Sequence, residues 1–302
     1  MNEAIRKIQD LKKEKNAVIM AHYYVPDEVQ EIADYTGDSY YLSDMAAKTD
    51  ADIIVLCGVS FMGESAKILN AEKKVLMPAP DADCPMAHMA SVDKINEMRA
   101  AYDDLAVVCY VNSTADLKAH SDVCVTSSNA LRIVTALPQK NIFFIPDQNL
   151  AHYIADQLPE KNFIFNDGYC HVHHNISREQ ILAAKEAHPG AQVLVHPECP
   201  PEVTALADYV GSTSGIISHA SESSCREFII STETGVFYQL KKKNPDKKFY
   251  AAGDRQICPD MKKITLGKIL QTLENEVTEV VMDKEFMERA HAPMKKMLEL
   301  SE

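Results

Sequence analysis

The sequence has no uninterrupted apolar stretch long enough to cross a bilayer, and its opening run, MNEAIRKIQDLKKEKN, is charged and amphipathic. Neither a membrane span nor a secretory signal is expected, and the protein is expected to be cytoplasmic. Basic residues are scarce, 31 against 44 acidic ones, for a formal net charge of −13. A repeating phosphate backbone needs a basic face, so nucleic acid is not an expected partner, whereas a small anion in a local pocket is still allowed. Cysteine is sparse too: eight in 302 residues, with no CxxC pair among them. That is too few and too scattered for a disulfide scaffold, and cytosolic thiols stay reduced, which leaves metal binding or buried thiols. The 46% hydrophobic content is that of a globular chain with real cores.

What the sequence does have is an internal repeat, laid over apolar runs that alternate with helical patterns in the manner of βα units. HYYVPDEVQEIADYTGDSYYLS from His22 aligns without a gap on the segments opening at Tyr110 and His196, at offsets of 88 and 86 residues. Each copy leaves an apolar strand (AVIMA, LAVVC, AQVLV) and starts a short helix at Pro26, at Thr114, or at Pro200 and Pro201. Each then reaches an aspartate (Asp34, Asp122, Asp208) and, five residues on, a hydroxyl (Ser39, Ser127, Thr213). A helix, a strand, a further helix and a last strand follow, and each copy ends in a cysteine. A helix also precedes each first strand, with Ser177 and Gln180 forming a capping box on the third.

The fold class expected is α/β: three homologous αβα units with parallel sheets, arranged as a pseudo-threefold triangle around a central cavity. The units are read as 1–86 joined by 260–302, then 87–172 and 173–259, with the helical tail from Thr265 packing back on the first unit. In open parallel sheets ligands bind beyond the carboxyl ends of the strands, where all the repeated polar residues fall.

Cys84, Cys170 and Cys258 end the three copies, at intervals of 86 and 88 residues. Three equivalent thiolates suit a cubane 4Fe-4S cluster with its fourth iron open as a Lewis acid. Two other readings stand beside it: small buried hydrophobes, and a zinc site completed by His173. Cys57, Cys109 and Cys124 lie in apolar strand patterns and read as buried thiols, Cys225 lies in a helical stretch, and Cys199 adjoins Glu198 at the expected cavity. His171 and His174 read as solvated or structural. The repeat also superposes residues of different chemistry at strand ends: His22, Tyr110 and His196, then Tyr24, Asn112 and Glu198 two residues on. Packing alone gives no reason for ionisable groups there. The hydroxyls at Ser39, Ser127 and Thr213 suit either helix capping or an anion.

AHYY at Ala21, GDS at Gly37, Tyr110-Val111-Asn112, GYCHVH ending at His173, HPEC from His196, GSTSG from Gly211 and ICPDMKKIT from Ile257 together resemble the quinolinate synthase A family over essentially the whole chain. The resemblance implies condensation of iminoaspartate with dihydroxyacetone phosphate to quinolinate, phosphate and water, with one 4Fe-4S cluster on Cys84, Cys170 and Cys258. It places His22, Ser39, Tyr110, Asn112, Ser127, His196, Glu198, Ser212 and Thr213 at substrate-contacting positions. Glu198, His196, Tyr24, Tyr110 and His173 are the expected catalytic groups. An aspartate oxidase or dehydrogenase would supply the imine. A hydro-lyase with an open iron, and an electron carrier or iron-sulfur sensor, are the rival classes.

Overall fold

The computed structural model describes residues 3–301. The first unit runs α1 (Glu3–Glu14), β1 (Ala17–His22), α2 (Asp27–Ile32), β2 (Tyr35–Gly37), α3 (Ser39–Lys48), β3 (Ile53–Cys57), α4 (Ser60–Leu69) and β4 (Lys74–Leu76). The second repeats it as α5 (Val92–Ala101), β5 (Leu105–Tyr110), α6 (Ala115–Ala119), β6 (Val123–Val125), α7 (Ala130–Ala136), β7 (Asn141–Ile145), α8 (Gln148–Ala155) and β8 (Asn162–Phe165), with a short α9 (His171–His174) beyond. The third is α10 (Arg178–Ala187), β9 (Gln192–Val195), α11 (Pro201–Thr204), β10 (Tyr209–Val210), α12 (Thr213–Glu222), β11 (Glu227–Ser231), α13 (Val236–Lys243) and β12 (Lys248–Ala251). The tail adds α14 (Leu266–Asn275) and α15 (Lys284–Ser301).

Each unit contributes one parallel four-stranded sheet, and the strand order is the same in all three: β2-β1-β3-β4, β6-β5-β7-β8 and β10-β9-β11-β12. The central strands read as continuous apolar runs because helices cover both faces; all five residues of β3 are buried. The repeated aspartates explain how the edge strand is set in register. Asp34, Asp122 and Asp208 each give their backbone N–H to a carbonyl of the first strand, on Ile19, Val107 and Val193. Each carboxylate accepts the N–H of that same residue, at 2.8, 2.7 and 2.7 Å. Two hydrogen bonds thus clamp every copy of the turn before the second strand.

The capping box on α10 is present as expected, with Gln180 Oε1 accepting the Ser177 N–H at 2.9 Å. The tail lies on the first unit and reaches past it to the second. α14 packs on α1, and the segment after it adds to the outer edge of the first sheet, where Val280 N donates to Val75 O at 2.8 Å and Met77 N to Thr278 O at 3.0 Å. α15 then leaves the first unit's edge and lies against α6, β6 and α7 of the second as well as α4 of the first. Its buried residues Met287, Ala290, Met294 and Met297 recur at helical spacing, and each methionine contributes about 1.5–3 kcal/mol by burial. The first two units and the tail share one continuous hydrophobic core, while the third unit has two smaller ones, one on each face of its sheet.

Candidate functional site

The carboxyl ends of the three sheets face a single cavity, the place where ligands bind in open parallel sheets. Cys84, Cys170 and Cys258 all line it. Each stands in a loop after its last strand, and the three loops are fastened alike. The carbonyl two residues before each cysteine, on Ala82, Gly168 and Gln256, accepts a backbone N–H from Ser60, Gln148 and Thr234 at 2.9, 2.8 and 2.8 Å. Burial raises all three thiols, Cys84 to about 12, so as free thiols they stay protonated. Thiolates there require a bound cation.

The other cysteines are elsewhere. Cys57, Cys109 and Cys124 are buried within β3, β5 and β6. Cys199 is buried with its thiol toward Ser231 O and does not line the cavity. Cys225 lies in the loop between α12 and β11, not in a helix, because α12 ends at Glu222 and Ser223 caps it.

Beside Cys170 is a buried acid-base group. His173 Nδ1 is 2.6 Å from Glu198 Oε2 and 3.2 Å from Cys170 Sγ, and its Nε2 is 2.8 Å from Thr232 Oγ1. His196 stacks on His173 with ring centroids 4.5 Å apart, and its Nδ1 lies 3.7 Å from Glu198 Oε2. Burial alone would raise the Glu198 carboxyl; the facing histidines outweigh it and hold the group below the usual carboxylate range. Burial also drives His22 down to about 4 and His196 down to about 3, so both are neutral imidazoles at pH 7. Their Nδ1 atoms accept backbone N–H groups, from Tyr24 at 3.2 Å and from Glu198 at 3.3 Å. The tautomer this assigns carries the proton on Nε2, which makes each ring a donor at that atom. Tyr24 and Tyr110 are raised, by burial first and Glu198 second, and keep their protons.

The third unit holds Tyr24 across the seam. Its hydroxyl bonds Thr213 Oγ1 at 2.7 Å and Thr232 Oγ1 at 2.8 Å, and Lys262 Nζ donates to its carbonyl. Gly235 is required at this seam, since a Cβ would come within 2.6 Å of Tyr23 O and 2.7 Å of Tyr24 Cα. Glu198 Oε1 and Asn112 Oδ1 are buried without a hydrogen-bond partner among the described residues. Buried polar atoms are rarely left so unless something binds them.

The residues expected at the cavity line it: His22, Tyr24, Ser39, Tyr110, Asn112, Ser127, His173, His196, Glu198 and Thr213. Ser212 does not, because its Oγ caps α12 by accepting the Gly215 N–H at 3.2 Å. The caps on this side are Asp38 for α3 and Ser212 for α12, one position ahead of Ser39 and Thr213, which leaves those hydroxyls free of capping duty. His171, expected to be solvated or structural, lines the cavity, whereas His174 bonds Asn149. Thr232, Glu233, Asp38 and Asp83 were not expected. Thr232 and Glu233 follow β11 where the other copies have Gly58-Val59 and Pro146-Asp147, a mismatch in the repeat that marks them.

A family model described as quinolinate synthetase A protein matches residues 6–299. The chain belongs to that family. It is 52% identical over 296 residues to the quinolinate synthase of Clostridioides difficile (strain 630), covering 98% of this chain and 97% of the relative. It is 53% identical over 295 residues to the quinolinate synthase of Fusobacterium nucleatum, covering 98% of each. To that of Aquifex aeolicus it is 47% identical over 306 residues, with 100% and 95% covered. No helix among the described residues is long and apolar enough to cross a membrane. Cys170, His173 and Glu198 form a group that could hold a metal ion, with donor atoms all within 4.8 Å of one another.

Proposed function

We propose that this chain is a quinolinate synthase, condensing iminoaspartate with dihydroxyacetone phosphate to give quinolinate, phosphate and water. The observation that carries the reading is the meeting of three equivalent thiols in one cavity with Glu198, His173 and the histidine, tyrosine and hydroxyl groups around them. Cys84, Cys170 and Cys258 would hold a 4Fe-4S cluster, which supplies one open iron as a Lewis acid when bound. The donor set suits it, since each thiol comes from an equivalent loop of a different unit and no other cysteine lines the cavity.

The protein's own groups divide the remaining work. Glu198 is the base: its Oε2 is held by His173 while Oε1 stays unpaired and buried, ready to take a proton during isomerisation and ring closure. His22 and His196 donate from Nε2 to substrate oxygens. Tyr24 and Tyr110, kept protonated, donate to leaving oxygens, and Asn112, Ser39, Ser127 and Thr213 orient the anionic ends. The units divide at 86/87 and 172/173, with 260–302 added to the first. An aspartate oxidase or dehydrogenase supplies the imine.

The test is anaerobic purification with iron and sulfide counted, then turnover of dihydroxyacetone phosphate with freshly generated iminoaspartate. Four irons with quinolinate formed, both lost in Cys170→Ala, is the expected result. Zinc without iron would replace the cluster by a mononuclear site, and a full cluster without quinolinate would point to a hydro-lyase or an electron carrier. Glu198→Gln should keep its iron and lose about 10²–10⁴ in turnover; near-normal turnover would remove Glu198 as the base.

A further inference from the structure

Ser39 and Ser127 belong to different units, yet both stand on one chain of hydrogen bonds that ends at the last turn of α15. Ser39 opens α3, whose cap is Asp38, buried at 6% exposure; its Oδ1 accepts the Tyr41 N–H at 3.0 Å. The other oxygen, Oδ2, accepts the hydroxyl of Ser128 from the second unit at 3.0 Å. Ser128 N in turn donates to Thr126 Oγ1 at 3.3 Å, inside the turn that presents Ser127 to the cavity. Asn129 closes that turn, its Oδ1 accepting the Thr126 N–H at 2.6 Å. The amide nitrogen of Asn129 reaches out to Ser301 Oγ at 2.9 Å, and the Ser301 hydroxyl donates onward to Met297 O at 2.6 Å. Arg132 binds the Ser301 carbonyl from the same side. The turn bearing Ser127 is therefore fastened on one flank to the first unit's helix cap and on the other to the end of α15.

A hydroxyl on a free four-residue turn must be ordered each time a ligand binds, whereas one on a turn tied at both ends is already in place. We propose that Ser128, Asn129 and Ser301 are positioning residues that fix Ser127 relative to Ser39 for the phosphate of dihydroxyacetone phosphate, so that the end of the C-terminal helix supports the substrate site. This rests on the function proposed above.

The test uses the cluster-loaded full chain with Ser128→Ala, Ser301→Ala and their double variant. Thr135→Ala serves as control, since that hydroxyl bonds only within α7, to Leu131 O. Each single variant should raise KM for dihydroxyacetone phosphate about three- to tenfold, the worth of one hydrogen bond, and weaken inorganic phosphate measured by calorimetry by the same factor. kcat, KM for iminoaspartate and iron per chain should stay at wild-type values, and the control should not move. Unchanged KM and phosphate affinity in both variants would overturn the proposal. So would a parallel rise for both substrates or a loss of iron, which would mean general loosening. If the wild type binds phosphate but consumes no dihydroxyacetone phosphate, and Ser128→Ala still weakens phosphate, the positioning holds and the substrate assignment falls.

Discussion

The three units are built alike but hold their cavity cysteines differently. In the second and third, a fully buried carboxylate just past the third strand accepts the cysteine's N–H: Asp147 for Cys170 at 3.1 Å and Glu233 for Cys258 at 3.1 Å. Asp147 also caps α8 through the Leu150 N–H at 2.7 Å, and Glu233 takes the Gly235 N–H at 2.6 Å and pairs with Lys262 at 2.9 Å. The first unit has Val59 at that position. There Cys84 N donates to its own neighbour Asp83 at 2.8 Å, a half-exposed carboxylate that also binds Ser60 Oγ and His88. Two cysteine loops are anchored from the core of their sheets and one from its own surface loop. Equal sequence spacing gives equal placement of the thiols without giving equal support.

Moving the first unit's valine into the others breaks the comparison most severely. Glu233→Val would strip the Cys258 and Gly235 N–H groups of their acceptor and leave Lys262 only the Tyr24 carbonyl in place of its carboxylate, at a cost of about 3–5 kcal/mol in chemical denaturation. Asp147→Val, which strands two N–H groups but no cation, should cost about 2–4 kcal/mol. A loss below about 1 kcal/mol in either would mean that the carboxylates do not anchor their loops.

The units differ next in their titration, since the matching strand ends carry His22, Tyr110 and His196. A histidine kept neutral by burial takes up its proton only on unfolding, so the unfolded chain binds more protons from pH 6.5 down to the folded values of about 4 and about 3. Stability contributed by the first and third units therefore falls as pH drops through that window. Asp147 and Glu233, raised by burial, act with the opposite sign, but they are common to wild type and variant and cancel. Between pH 6.5 and 4.5 the wild type should lose about 4 kcal/mol more than a His22→Asn, His196→Asn double variant, about 2 kcal/mol from each ring. Equal acid losses would show that the two rings are not held neutral.

The smallest effect belongs to the surface anchor. Asp83→Asn keeps an acceptor for Cys84 N at a half-exposed position, so it should cost less than about 1 kcal/mol in the same denaturation experiment. A loss matching that of Asp147→Val would erase the distinction between core and surface anchoring.

The repeat made much of this legible. Hydrophobic runs placed three strands in each unit, because a parallel sheet covered on both faces needs continuous apolar segments; the second strands β2, β6 and β10, two or three residues long after the recurring aspartate, are too short to carry such a pattern and were not legible. The cysteines and the mixed His, Tyr, Asn and Glu positions were readable for the same reason: equivalent positions in equivalent units fall at equivalent places in space. Sequence alone does not separate Ser212, whose hydroxyl caps α12, from Thr213 beside it, which faces the cavity. Cys225 was given to a helix because α12 ends without glycine or proline to mark the stop. The tail was seen as helical, but its apolar stripe fits any apolar surface, and only the shared core of the first two units took α15 across to the second.

By itself, then, the sequence determined what is local or repeated: the three longer strands of each unit, the recurring aspartates, the three thiols and the polar strand ends. The tertiary structure alone decided what joins separate segments of the chain, namely the 2.6 Å pairing of His173 with Glu198, the clasp of Tyr24 by Thr213 and Thr232, and the link from Asp38 through Ser128 and Asn129 to Ser301. Those partners lie tens to hundreds of residues apart in the chain. Hydrogen bonds act over about 3 Å, so such pairs exist only once the carboxyl ends of the sheets have been brought together around the cavity.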